Sequence, residues 1–183
     1  MSAETVPPTR LTVLTIGHST RTLDTFIEML RAHGVKHLAD VRTIPRSRHN
    51  PQFNRDTLLE ALGLAGIAYT HMEQLGGLRH ARPDSPNSGW HNSSFRGFAD
   101  YMQTPEFEAG LEKLLQLAAR EQTAIMCAET VPWRCHRSLI ADALKVRGAQ
   151  VEHIMSTNRA QPHRLTAFAK VSGIHITYPQ ETA

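Results

Sequence analysis

The chain has 183 residues, 40% of them hydrophobic and 20% charged, with a formal net charge of +3 and a pI near 9.1. That length and apolar content suit one domain with a real core rather than two, since about 150 residues already bury roughly 70% of their unfolded surface. The modest basic excess fits an anionic ligand and falls short of the dense Lys/Arg blocks of a nucleic-acid-binding tail.

Residues 1–10 are polar, carry Pro7-Pro8, and read as a disordered lead-in to a single α/β domain over residues 11–183. Leu11 to Ile16 is β-branched, stops at Gly17 and predicts a buried first strand. Leu23, Phe26, Ile27 and Leu30 fall on one helical face, with Thr22 placed as N-cap and Gly34 just beyond the end. A second strand over His37–Val41 leads into a loop carrying Arg42, Pro45, Arg46, Arg48 and Pro51. Asn54 is expected to cap a helix running to Leu64, and Ile67–His71 to form a third strand. Gly76 to Phe95 reads as one long functional or mobile loop. A helix over Pro105–Arg120, a strand over Thr123–Cys127, a helix over His136–Val146 and a strand over Val151–Ile154 complete the pattern. Strands alternating with helices argue parallel β-α-β units. The expected architecture is α/β: a three-layer Rossmann-like fold with a mostly parallel sheet of about five strands and helices on both faces.

No charged-then-apolar leader opens the chain and no apolar run approaches ~20 residues, so a cytoplasmic protein without membrane contact is expected. In that compartment Cys127 and Cys135 are expected to be thiols rather than a disulfide.

Ligands of open α/β sheets bind beyond the carboxyl ends of the strands. The residues just past each predicted strand are therefore the site candidates: His18 and Ser19, Asp40 and Arg42, His71, Cys127 with Glu129, and His153. The segment Cys127 to Arg137 admits several readings. A phosphatase-type loop would place arginine where Trp133 stands and would need glycines that are missing. A metal site built on Cys127, Cys135 and His136 is short of ligands, and none is assigned. An anion-binding loop with Glu129 as acid/base or carboxylate nucleophile fits a helix start flanked by His136 and Arg137. Alternatively Cys127 is a small core residue and Cys135 caps the helix. Of the two thiols, Cys127 is expected to be buried and inert, and Cys135 reactive near the helix start.

Arg42, Arg46 and Arg48 suit phosphate or carboxylate through planar guanidinium forks, with Asp40 orienting an arginine or histidine; a solvated basic loop is the plain alternative. Gly76-Gly77 would permit unusual backbone angles or close ligand approach. The stretch with Arg79, His80, Arg82, Trp90, His91 and Phe95 reads as a lid, a base-stacking surface or a flexible loop.

Taken together, Thr15–Ser19, Asp40-Val41-Arg42, Pro45–Arg48, Pro51-Gln52-Phe53, Tyr69 with His71, Leu75-Gly76-Gly77, Cys127-Ala128-Glu129 and Cys135-His136-Arg137 resemble the bacterial domain of unknown function 488 family. The resemblance runs from about Leu11 to Phe168. It implies an α/β fold and the clustering of these blocks, and it supplies no reaction.

The expected function is an enzyme, a hydrolase or transferase, acting on a phosphate-bearing substrate such as a nucleotide or nucleic-acid component. Glu129 would be the acid/base or nucleophile, and His18, His71 or His136 would shuttle protons. Ser19, Asp40, Arg42, Arg46, Arg48, Gly76, Gly77, Cys135 and Arg137 would form the anion site. A non-catalytic nucleotide or nucleic-acid binding module and a thiol- or metal-dependent sensor are the alternatives. No cofactor and no oligomeric state follow from the sequence.

Overall fold

Two apolar faces per strand demand two covering layers, and that is how the chain packs. The computed structural model describes residues 10–182; all but Arg10 of the expected lead-in lies outside them. Five strands run parallel: β1 (Thr12–Gly17), β2 (His37–Asp40), β3 (Ala68–His71), β4 (Thr123–Cys127) and β5 (Gln150–Ser156). A sixth, β6 (Arg159–Pro162), returns antiparallel against β5, giving the order β3-β2-β4-β1-β5-β6. The architecture is thus the expected three-layer Rossmann-like one, enlarged by an antiparallel edge strand.

Helices α1 (Leu23–Ala32) and α2 (Arg55–Leu64) cover one face, and α3 (Ser93–Tyr101), α4 (Pro105–Arg120) and α5 (Arg137–Val146) the other. The alternation within β4 shows why both layers are needed. Ala124 and Met126 join Phe26, Leu30, Leu58 and Leu62 in one cluster, while Ile125 and Cys127 join Phe98, Leu111, Leu139 and Leu144 in the other. The Thr22 hydroxyl accepts the Thr25 N–H at 3.2 Å, and Thr104 accepts the Phe107 N–H at 3.3 Å, so both helices start where a side-chain acceptor is available.

Three further features depart from the sequence reading. The expected loop up to Phe95 ends earlier, in α3, where the Asn92 side chain accepts the N–H groups of Ser94 and Phe95. The loop before it is tied down: the Asp100 carboxylate accepts from Ser85, from Asn87 and from the Arg82 backbone N–H. A short hairpin, β7 (Lys170–Ser172) with β8 (His175–Thr177), packs Ile176 and then Tyr178 into the core. Asn54 precedes α2 but makes no cap; its side chain accepts the Ser47 N–H at 2.8 Å and so fixes the arginine loop. Among the described residues no helix is long and apolar enough to cross a membrane.

The topology sets the position of the site. β4 feeds α5 on one face, whereas its neighbours β1 and β2 feed α1 and α2 on the other. Connections diverge there, and a crevice opens above the carboxyl ends of the strands. The backbones are close at its base: His18 N–H donates to Cys127 O and Ser19 N–H to Ala128 O, each at 2.9 Å. Gly17 has no room for a side chain, because a Cβ would land on the Glu129 carbonyl.

Candidate functional site

At this switch point lies a cleft of about 450 Å³. Arg42, Thr43, Ile44 and Arg46 line it from the β2 side, and Gly77, Leu78 and the start of α3 from above. Cys127, Ala128, Glu129, Arg134, Cys135 and His136 line it from β4 and the approach to α5.

Arg42 is held rather than free. Its Nε and Nη2 donate to the two oxygens of Asp40 at 2.9 and 2.7 Å, and Nη2 also donates to the Phe53 carbonyl at 2.8 Å. Asp40 is fully buried and Arg42 is 7% exposed, so the pair is locked in one geometry. The remaining nitrogen, Nη1, is buried and has no hydrogen-bond partner among the described residues. Tyr69 donates to Asp40 at 2.6 Å; burial first, and the Asp40 charge second, raise its pKa and keep it a donor. His71 donates through Nε2 to the Arg42 carbonyl at 2.7 Å. It fixes the backbone under the cleft and is not among the residues lining it.

The sulfur atoms of Cys127 and Cys135 are paired as a disulfide, with Cα atoms 7.2 Å apart. This corrects the expectation of two separate thiols: the polar loop from Ala128 to Arg134 folds back so that the start of α5 returns over the end of β4. Cys135 is also buried, at 6% exposure, so the contrast between an inert and an accessible cysteine is not there. Beside it His136 donates through Nε2 to the Val41 carbonyl at 2.8 Å, which leaves Nδ1 as the acceptor nitrogen, 3.5 Å from the Cys135 sulfur. Burial lowers the His136 pKa to about 4, so the ring is neutral at neutral pH.

Arg137 does not face the cleft. It is fully buried, and its donors go to protein groups: Nη1 to Cys127 Sγ at 2.7 Å and to the Glu129 carbonyl, Nη2 to the Thr130 carbonyl at 2.9 Å, and Nε to Thr15 Oγ1 at 3.3 Å. It organises the loop instead of holding an external anion. Behind it a chain of buried polar contacts continues. Thr15 Oγ1 meets His153 Nδ1 at 2.6 Å, and His153 Nε2 meets His163 Nδ1 at 2.9 Å. His163 Nε2 in turn reaches Asp142 Oδ1 at 2.7 Å. The other Asp142 oxygen accepts from Thr166 Oγ1 and Tyr178 OH at 2.7 and 2.8 Å.

The other expected site residues divide. Glu129 is exposed at the rim, and Arg46 is exposed and lines the cleft. Arg48 is exposed and does not line it. His18 is buried, stacks on Phe53 at 4.4 Å between centroids and donates through Nδ1 to the Ser19 carbonyl. Burial lowers its pKa, and its Nε2 has no partner among the described residues. Ser19 adopts φ 50° at the turn after β1.

The model of the family described as Domain of unknown function DUF488 matches residues 22–144 of this sequence. The chain belongs to the DUF488 family. No curated protein and no solved structure matches it at a significant level. The matched stretch of the DUF488 chain contains β2, β3, β4 and most of α5, and with them every residue lining the cleft.

Sequence reasoning missed Arg134, which stands at the rim beside Glu129, and the first turn of α3. Arg134 was visible only as an arginine one position late for a phosphatase loop. Gly76 and Gly77 act through close packing within the DUF488 chain rather than through unusual angles. A Cβ on Gly76 would stand 2.8 Å from the Thr43 Cα, and one on Gly77 2.6 Å from His136 Nδ1. Gly77→Ala is therefore expected to push the His136 ring off the Val41 carbonyl at a cost of about 1–3 kcal/mol. Nitrogen chemical shifts of His136 report the change; an unaltered Nε2-protonated ring signal and unaltered stability would contradict it.

Proposed function

We propose that the chain is an enzyme acting on a phosphate-bearing substrate, a nucleotide or nucleic-acid component, bound in the cleft at the carboxyl ends of β2 and β4. The supporting observation is the geometry of Arg42. Asp40 and the Phe53 carbonyl fix the guanidinium of Arg42, a residue that lines the cleft, and its buried Nη1 has no partner among the described residues. A buried donor with no acceptor is costly, and an anion oxygen satisfies it with a charge-assisted bond. Arg46 and Arg134 add positive charge at the rim, and Glu129 stands there as the acid/base or nucleophile. The neutral His136 offers Nδ1 as a proton acceptor close by.

Calorimetric titration of inorganic phosphate, nucleoside mono- and diphosphates and short oligonucleotides at low salt tests the reading. Saturable binding is expected, weakened about tenfold or more by Arg42→Ala and more modestly by Arg46→Ala and Arg134→Ala. The last two residues are exposed and leave the Asp40 pair intact. Arg48→Ala is expected to change little. Absence of saturable binding across the panel sinks the proposal. Binding that survives in Glu129→Gln, with no turnover of any bound compound by the wild type, identifies a binding module instead.

A further inference from the structure

The buried guanidinium of Arg137 needs a counter-charge, and the groups around it offer one. It is 0% exposed. Burial lowers its pKa only to about 10, so it is protonated at neutral pH. Its hydrogen-bond acceptors are two backbone carbonyls, the Thr15 hydroxyl and the Cys127 sulfur, and among the described residues no carboxylate forms an ion pair with it. An uncompensated buried charge costs several kcal/mol. Of the four acceptors, only sulfur can take up a full negative charge.

We infer that Cys127 and Cys135 form a reversible dithiol–disulfide couple in which Cys127, ion-paired with Arg137 as a thiolate, is the nucleophile towards a small disulfide. The reading does not rest on the anion proposed above. In the reduced protein Cys127 carries the charge, while Cys135 keeps its proton and donates it towards Nδ1 of the neutral His136. The thiolate attacks one sulfur of RSSR, forming the Cys127–SR bond and expelling RS⁻. Cys135 then attacks the Cys127 sulfur, closing the protein disulfide and expelling the second RS⁻, which takes the Cys135 proton. The balance is Cys127-S⁻ plus Cys135-SH plus RSSR giving the protein disulfide, RS⁻ and RSH. Two electrons pass from the protein to the small disulfide.

Both cysteines are among the residues that line the cleft. Each packed element contributes charged groups near Cys127. Arg137 opens α5 after the neutral His136, and Arg21, which follows β1, acts on Arg137. Arg42 and Arg46 come from the β2 side, and Glu129 and Arg134 from the loop itself. The Arg42 charge is matched by the Asp40 carboxylate, so the balance rests on Arg137, Arg46 and Arg134 against Glu129, which is positive and favours thiolate further.

The test is a pH titration of the ultraviolet thiolate absorbance in the reduced protein, which needs no reagent access, made on wild type, Cys135→Ser and Cys127→Ser. Cys135→Ser should show a thiolate midpoint at or below ~7, and Cys127→Ser one near the ordinary ~8.5. Cys135→Ser should also react at pH 6 with an aromatic disulfide, 5,5′-dithiobis(2-nitrobenzoate), at least tenfold faster than Cys127→Ser. Ordinary midpoints in both variants, or the low midpoint in Cys127→Ser, overturn the assignment. Should a serine variant fail to fold, the alanine variant at the same position replaces it in the titration. No phosphate is present in the assay, so its outcome is separate from the anion titration.

Discussion

Replacing Asp142 with Ala is expected to lower the unfolding free energy by about 3–5 kcal/mol, the loss typical of removing one partner from a buried polar pair. Asp142 is fully buried on α5 and serves four donors: His163 Nε2, the Thr166 N–H and hydroxyl, and Tyr178 OH. Truncation leaves all four without this acceptor, and the buried ones, His163 and Tyr178, carry a desolvation cost. The damage also reaches a part of the fold far along the chain. Tyr178 follows β8, and its N–H donates to Asn87, so the carboxyl-terminal hairpin and the loop before α3 share this anchor. For a chain of this length each kcal/mol moves Tm by ~2–4 °C, so a drop on the order of 10 °C is expected. Asp142→Asn keeps one acceptor oxygen and should lose clearly less. Thermal unfolding followed by circular dichroism decides: a shift within a degree or two for Asp142→Ala would show that the network is not what holds α5 to the hairpin.

The strands and most helices were legible because their signals are local. Five apolar runs stopped by glycine or a polar turn became β1 to β5, and the stripe from Phe107 to Ala118 became the buried face of α4. β6 was not legible: it is short, mostly exposed, ends in Pro162, and exists only because β5 presents an edge. The β7–β8 hairpin is equally brief, and what fixes it is burial of Ile176 and Tyr178 from elsewhere in the chain. α3 did leave a trace in Asn92 and in the spacing of Phe95 and Phe98, masked by Gly97 and by the surrounding glycines and prolines. Gly97 itself packs against the Arg79 carbonyl, where no side chain fits.

The site was legible at the level of strand ends, since the carboxyl-edge rule requires only that strands be found in order. What each residue does there was not. Arg137 looked like an anion ligand because it opens a helix, yet α5 is buried continuously from Arg137 to Leu144, so its side chain turns inwards to carbonyls and sulfur. The pairing of Cys127 with Cys135 and the chain from Thr15 through His153 and His163 to Asp142 join residues up to 138 positions apart. Only packing brings such groups together, and no spacing rule encodes it.

Acidification is expected to cost the fold on the order of 4 kcal/mol between pH 8 and pH 5, well before ordinary carboxylates titrate. Burial lowers the pKa of His136 to about 4, and burial followed by the neighbouring His163 and Arg137 lowers that of His153 to about 3. Unfolded, both rings titrate near the usual value of ~6.5. Above that pH they are neutral in both states and contribute no pH dependence. Below it the unfolded chain binds protons that the folded chain refuses, so stability falls as pH falls, by ~1.4 kcal/mol per pH unit for each ring. The window for His136 closes near pH 4 and that for His153 near pH 3. His18 and His37, also lowered by burial, add to the loss in the same direction. Urea midpoints measured from pH 8 to pH 5 should therefore decline steadily below about pH 6.5. A flat profile over that interval would mean that the two rings take up protons in the folded state, and that the His153–His163 contact and the His136–Val41 bond tolerate a charge.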